Sequence, residues 1–286
     1  MRAPPLPAPA PPKSLMSYAA LLPMAVTVLL AYVGSVLWTL RTSFTNSRTF
    51  ASSEFIGLAQ YQRLFDNERW LLSLHNLAIY AVLFIAACLI IGTLLAIFID
   101  QHVTGEGVLR TVFLYPYAMS FVATGLVWQW MLTPANGSFA PDWIVDQDMV
   151  IYTVVLAGVW QASGLVMALL LAGLRGVDPE IWKAARLDGI PAWRVYLSIV
   201  LPMLGPSFAT VLLLLGTGAV KLYDAVVAMT QGGPGTASEV PAKFIMDHLF
   251  LRSNIGLASA AAMVLLAPAL AVLLPYAYGR SRRRAQ

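Results

Sequence analysis

Thirty-two of the 286 residues are charged, and seven of them crowd into one short stretch, residues 175–194. They are Arg175, Asp178, Glu180, Lys183, Arg186, Asp188 and Arg194. Elsewhere, side chains capable of chemistry are sparse. Lys221 and Asp224 stand three apart, and Asp247 precedes His248. His75, His102 and His248 are far apart, with no His-x-x-x-His spacing to hold a metal. With a serine, Asp247-His248 would be a fragment of a hydrolytic triad; a solvated loop is the simpler reading. The four lysines, Lys13, Lys183, Lys221 and Lys243, never follow a glycine, so the Gly-Lys step of a phosphate-binding loop is missing. Cys88 is the single cysteine, which excludes an internal disulfide and a cysteine metal cluster. The glycine-rich run Thr230-Gln-Gly-Gly-Pro-Gly235 reads as an irregular loop and only weakly as a phosphate nest. No nucleophile or metal constellation emerges, so the chain is not expected to be an enzyme by itself.

The elements that carry these residues are apolar. Hydrophobic residues make up 59% of the chain, charged residues 11%, and the mean hydropathy is +0.72. Soluble domains carry about 25% charged residues. Six uncharged runs, 16–40, 76–99, 111–132, 150–174, 195–220 and 254–279, each reach the roughly 20 residues a membrane-crossing helix needs. They lack the two-residue alternation of barrel strands. The expected fold is an all-α membrane protein with six transmembrane helices, residues 16–279. A Pro-rich tail, 1–15, precedes it and a basic tail, 280–286, follows. The first run is too long for a secretory h-region and is expected to remain as a span. With both termini on the cytoplasmic side, eleven basic residues fall inside and six outside, which the positive-inside rule selects. The charge of +4 then reflects membrane orientation, and no nucleic-acid partner is expected. Residues 175–194 become a cytoplasmic loop.

Local physics makes that loop a short helix. Asp178 suits the N-cap, Pro179 the first helical position and Glu180 the positive helix end. Gly189 suits the residue just past the helix, before Pro191. Ile181, Trp182, Ala184, Ala185 and Leu187 form an apolar and small-residue patch that so short a helix cannot bury alone. Such a patch calls for a partner, and Ala184, Ala185 and Gly189 would let it come close.

The run Ala184-Ala185-x-x-Asp188-Gly189-x9-Ile199-x-Leu201-Pro202 resembles the signature loop of permease subunits from binding-protein-dependent ABC importers. Phe55-Ile-Gly-Leu-Ala-Gln-Tyr61, Leu114-Tyr-Pro-Tyr117 and Leu222-Tyr-Asp-Ala-Val-Val-Ala-Met-Thr-Gln-Gly-Gly-Pro-Gly235 resemble the carbohydrate branch. Lys183 stands where the family usually has Glu. That form, with Glu239-Val-Pro-Ala-Lys-Phe-Ile245 and Asn254-Ile-Gly-Leu257, is similar to glucose/mannose-type permeases. The resemblance implies the type-1 importer fold, with a core at about residues 72–279 and a coupling helix in the signature loop. It implies a second, homologous permease, two ATPase subunits carrying ATP and Mg, an extracytoplasmic sugar-binding protein, and no cofactor in this chain. The setting it implies is the bacterial cytoplasmic (inner) membrane. The coupling residues would be Asp178, Glu180, Ile181, Lys183, Ala184, Ala185, Asp188, Gly189 and Pro202. Gln231, Gly232, Gly233, Pro234 and Gly235 would lie where the binding protein docks.

Sugars need hydrogen-bonding groups and aromatic faces, and the path candidates are Trp160, Gln161, Lys221, Tyr223 and Asp224. Gln161 is hard to place against lipid. Lys221 and Asp224 could instead form a mutual ion pair at the interface, and Trp128 and Trp130 an interfacial belt. Pro202, Gly205 and Pro206 interrupt the fifth run, which is expected to carry coupling-loop movement toward the gate. The alternatives are a permease for an oligosaccharide or polyol, an ion-coupled secondary transporter, for which the runs lack buried carboxylates, and a membrane-embedded enzyme.

Overall fold

The computed structural model describes residues 15–101, 103–133, 143–268 and 270. The expected tails, His102 and the end of the sixth run lie outside the described residues. Among the described residues the regular structure is helical, apart from an isolated bridge between Thr45 and Phe55.

Helix α1 runs over Leu15–Val28 and continues through a π-helical turn, Leu29–Gly34, into Ser35–Ser43. Its apolar window buries nothing within this chain, so lipid or another subunit must cover it. After α2 (Ala59–Phe65) comes α3 (Glu68–Asp100), an unbroken 33-residue helix without proline. Asn67 caps it, its Oδ1 accepting the Arg69 and Trp70 amides at 3.0 and 3.3 Å. The helix is longer than the apolar run 76–99 because its first two turns, on the far side of Asn76, bury Trp70 with Leu64, Phe244 and Ala260 in a second small core.

The third run, read as one span, is not one straight helix. It is two helices, α4 (Glu106–Ala118) and α5 (Phe121–Leu132), bent by 96°. Pro116 has no amide to give the last turn of α4, Met119 is extended, and the Ser120 side chain accepts the Ala123 amide at 3.1 Å to begin α5. Helix α6 (Val150–Leu174) is the most enclosed span. It packs along α3 and α4 through small residues: a Cβ on Gly164 would come within 1.9 Å of the Phe113 carbonyl oxygen.

The charged loop forms α7 (Pro179–Leu187). Next come α8 (Ala192–Met203) and α9 (Gly205–Val220), bent by 71° at Leu204, where Pro202 and Pro206 flank the break as the sequence predicts. Then α10 (Asp224–Met229), α11 (Pro241–Met246) with a π turn at Asp247–Leu251, and α12 (Ile255–Pro268) complete the described chain. The segment 221–253, which contains the Gly-rich run, thus holds two short helices and a π turn.

Candidate functional site

The helix that the charged loop forms is built as its sequence dictates. The Asp178 carboxylate accepts the Glu180 amide at 2.9 Å, Gly189 takes φ +67°, and the Ile190 amide donates to the Ala185 carbonyl at 3.0 Å, closing the C-terminus. The apolar patch read from the sequence is divided between two faces. Ala185 is 5% exposed and packs into the bundle core, so it is not offered to a partner. Ile181 is half-buried beside it. The outward face is Glu180, Lys183, Ala184 and Leu187, the last 88% exposed. Lys183 bonds Glu180 at 2.8 Å on the same helix, both well exposed. Pro202 is exposed in α8, at the bend and not on this face.

Two contacts seat α7 on the bundle. The Trp182 ring meets Tyr196 edge-on, centroids 5.0 Å apart. The Tyr196 hydroxyl in turn donates to the Asp100 carboxylate, at the end of α3, at 2.8 Å. Nearby, Arg110 and Arg175 both donate to Glu106 at 2.6 Å, joining α4 to the end of α6.

Inside the bundle a cavity of about 350 Å³ opens between α3, α5, α6 and α9. It gathers Gln161, Lys221, Tyr223 and Asp224, with Tyr80 and Tyr117. Trp160 is not among them: it lies on another side of α6, edge-on to the ring of Trp128 at 6.0 Å. Trp128 is buried by this packing and so is not a belt residue, whereas Trp130 is exposed. The Gln161 amide donates to the Met119 carbonyl at 2.9 Å, which the break between α4 and α5 leaves without a helical partner. Helix α9 ends at Val220, so Lys221 and Asp224 do not share a continuous helix face. Among the described residues they make no ion pair with each other and line the cavity separately.

At the opposite end of the bundle from α7, the Gly-rich loop is tied down. Gln231, Gly232 and Gly235 have positive φ, and the loop closes through the Gly233 amide to the Thr230 carbonyl at 2.9 Å. Asn76 of α3 donates to the Ala237 and Glu239 carbonyls at 2.8 and 2.9 Å. Arg69 donates to both Glu239 and Asp247, and Lys243 donates to Asp247 at 2.8 Å. Bonding to Glu239 raises the Arg69 guanidinium above its ordinary value against the opposing effect of burial, with Asp247 adding to the rise. Burial opposes ionisation of Asp247, but hydrogen bonds from Lys243 and Arg69 outweigh it and hold the carboxyl below its usual range. His248 is buried, not solvated, with Nδ1 2.9 Å from the Phe244 carbonyl oxygen. Burial pushes its pKa down, and the nearby Arg252 and Arg69 add to that.

Residues 89–284 match the family described as binding-protein-dependent transport system inner membrane component. The chain belongs to this family. Among its relatives, a probable ABC transporter permease protein of Pyrococcus horikoshii is 33% identical over 271 residues, covering 90% of this chain and 93% of that protein. A trehalose transport system permease protein of Mycobacterium tuberculosis is 33% identical over 259 residues, covering 88% and 82%. In fold, the chain is similar to a solved bacterial ABC transporter involved in import of the acidic polysaccharide alginate. The TM-score is 0.80 over 95% of this chain and 96% of that one, at 19% identity.

As an ABC importer permease of the carbohydrate branch, the chain is a multi-pass membrane transport component. The cluster of Arg69, Glu239, Lys243 and Asp247 in this permease went unseen in the sequence. Arg69 is 170 residues from Glu239, and no local pattern joins them. The readable signal was limited to the i,i+4 spacing of Lys243 and Asp247.

Proposed function

We propose that this permease forms half of the translocation pathway of an ATP-driven sugar importer, for a hexose such as glucose or mannose. Its partners would be a second permease, two ATPase subunits and an extracytoplasmic sugar-binding protein, with both termini cytoplasmic. The observation that carries the reading is the outward face of α7, where Leu187 is 88% exposed beside Ala184 and two charges. An apolar residue so displayed on a soluble-side helix suits a docking cleft. The trehalose permease among the relatives supports a sugar. Lys183 and the runs 239–245 and 254–257 support the hexose.

In this reading, ATP-driven closure of the ATPases pulls on residues 178–194 and opens the bundle outward; hydrolysis resets it. Each ligand acts by binding one state better than the other. The cavity at Gln161, Tyr223 and Asp224 offers amide, phenol and carboxylate to sugar hydroxyls and aromatic faces to its C–H surfaces. The test is uptake by proteoliposomes holding the complex purified through a tag on this chain. ATP-dependent glucose uptake, competed by mannose, is expected. Uptake that persists without ATPase subunits refutes the importer reading. Uptake competed by an oligosaccharide or polyol and not by hexose replaces the substrate and keeps the class.

A further inference from the structure

We propose that α3 is a connecting rod between the loop that receives the binding protein and the coupling helix α7. Arg69 and Asn76 are the positioning residues of its outer joint, and Asp100 and Tyr196 those of its inner joint. The inference rests on the importer reading above.

A rod must be stiff, long enough and fastened at both ends. Helix α3 has 33 residues and no proline, which gives it about 50 Å at 1.5 Å per residue. That exceeds the roughly 30 Å of a bilayer's hydrocarbon core. The two-part spans cannot serve. Helices α4 and α5 meet at 96°, and α8 and α9 at 71°, so an axial push on either is taken up at the bend. The fifth run, whose prolines suggested a carrier of motion, is by this geometry a compliant member of the bundle, as is the third.

At the outer end, residues 69 and 76 lie two turns apart on one face of α3. Asn76 holds the backbone of residues 237 and 239, and Arg69 holds the Glu239 side chain, which is 1% exposed. The Lys243 stem continues the contact to Gly232, where a Cβ would lie 2.7 Å from Lys243 Cε. Loop 230–239 is therefore fixed to α3 and cannot shift without moving it. At the inner end, Asp100 accepts the Tyr196 hydroxyl, and the Tyr196 ring bears on Trp182 of α7. Between the joints, α3 is locked to α6. A Cβ on Gly92 would fall 2.5 Å from a Val166 methyl, and one on Gly158 would fall 2.4 Å from the Tyr80 hydroxyl.

The test uses the reconstituted importer complex, titrated with sugar-loaded binding protein while ATP hydrolysis is followed. Asn76→Ala removes the two bonds from the outer joint to the loop backbone, and Tyr196→Phe removes the inner hydroxyl at the far end of the helix. Each is expected to lower the maximal stimulation about fivefold or more, the lower range of site-to-site coupling. The stimulation is read as a ratio to each variant's own basal hydrolysis, and the half-saturating concentration of binding protein should stay unchanged. The double variant should lose no more than the more impaired single variant, because one rod can be disconnected only once. If the half-saturating concentration rises in Asn76→Ala with the maximum intact, Asn76 only shapes the docking loop and the rod is refuted. Losses that multiply in the double variant refute it equally. Should the unvaried complex show no hydrolysis stimulated by a binding protein, the importer reading falls first, which is a distinct result.

Discussion

Arg69→Ala tests the energetics of the outer cluster directly. The change strands Glu239, which is 1% exposed and whose Oε1 already lacks a hydrogen-bond partner. Removing one partner of a buried pair costs about 3–5 kcal/mol, because the remaining charge stays desolvated. Arg69 itself is 20% exposed, so the low end, about 3 kcal/mol, applies. At about 2 °C per kcal/mol for a chain of this size, the melting temperature should fall by about 6 °C. Cys88 supplies the assay: it is the one cysteine, fully buried in α3, so a thiol-reactive fluorophore reports unfolding. Adding Glu239→Gln removes the stranded charge, and the double variant should recover most of the loss. An Arg69→Ala protein that melts within about 1 °C of the unvaried one would refute the reasoning, as would a double variant less stable than the single.

The remaining predictions use the same melt or a pull-down. Asp247 and His248 are both held below their ordinary pKa values, so the stability they add is present above those values and lost as pH falls. The melting temperature should therefore decline below about pH 6.5 through His248, a part that His248→Gln should remove, and again below about pH 4 through Asp247; a flat profile contradicts this. Gln161→Leu leaves the Met119 carbonyl without a donor, a cost of about 1–3 kcal/mol, and should lower the melting temperature by a few degrees; an unchanged melt would mean the bond is dispensable. Leu187→Asp alters an exposed side chain, so the melt should move by no more than about 0.5 kcal/mol, while co-purification of ATPase subunits is lost. Retained ATPase at wild-type yield would remove Leu187 from the docking face.

The helix of the charged loop, α7, was legible because its information is local. The cap at Asp178, Pro179, and the left-handed Gly189 lie within twelve residues and act on their own backbone. The membrane spans were legible for a similar reason, since apolar length alone decides them. Composition does not report the backbone path, and there the reading erred. Pro116 lies inside an apolar run, but the group that satisfies the Met119 carbonyl at the 96° break is the Gln161 side chain of α6, 42 residues away. Trp160 and Gln161 are adjacent in sequence, but one helical step of about 100° sends one to the cavity and the other to Trp128.

By itself, then, the amino-acid sequence determined an α-helical membrane protein and a capped, charged helix with an apolar face, because segment hydropathy and backbone capping act over a few neighbouring residues. Tertiary structure alone decided which face of that helix is free, with Ala185 turned in and Leu187 out. It also decided that α3 is fastened at both ends, by Arg69 and Asn76 to residues 237–247 and by Asp100 to Tyr196. Those bonds join residues 96 to 178 positions apart, and they exist only because packing of the spans brings their partners within reach.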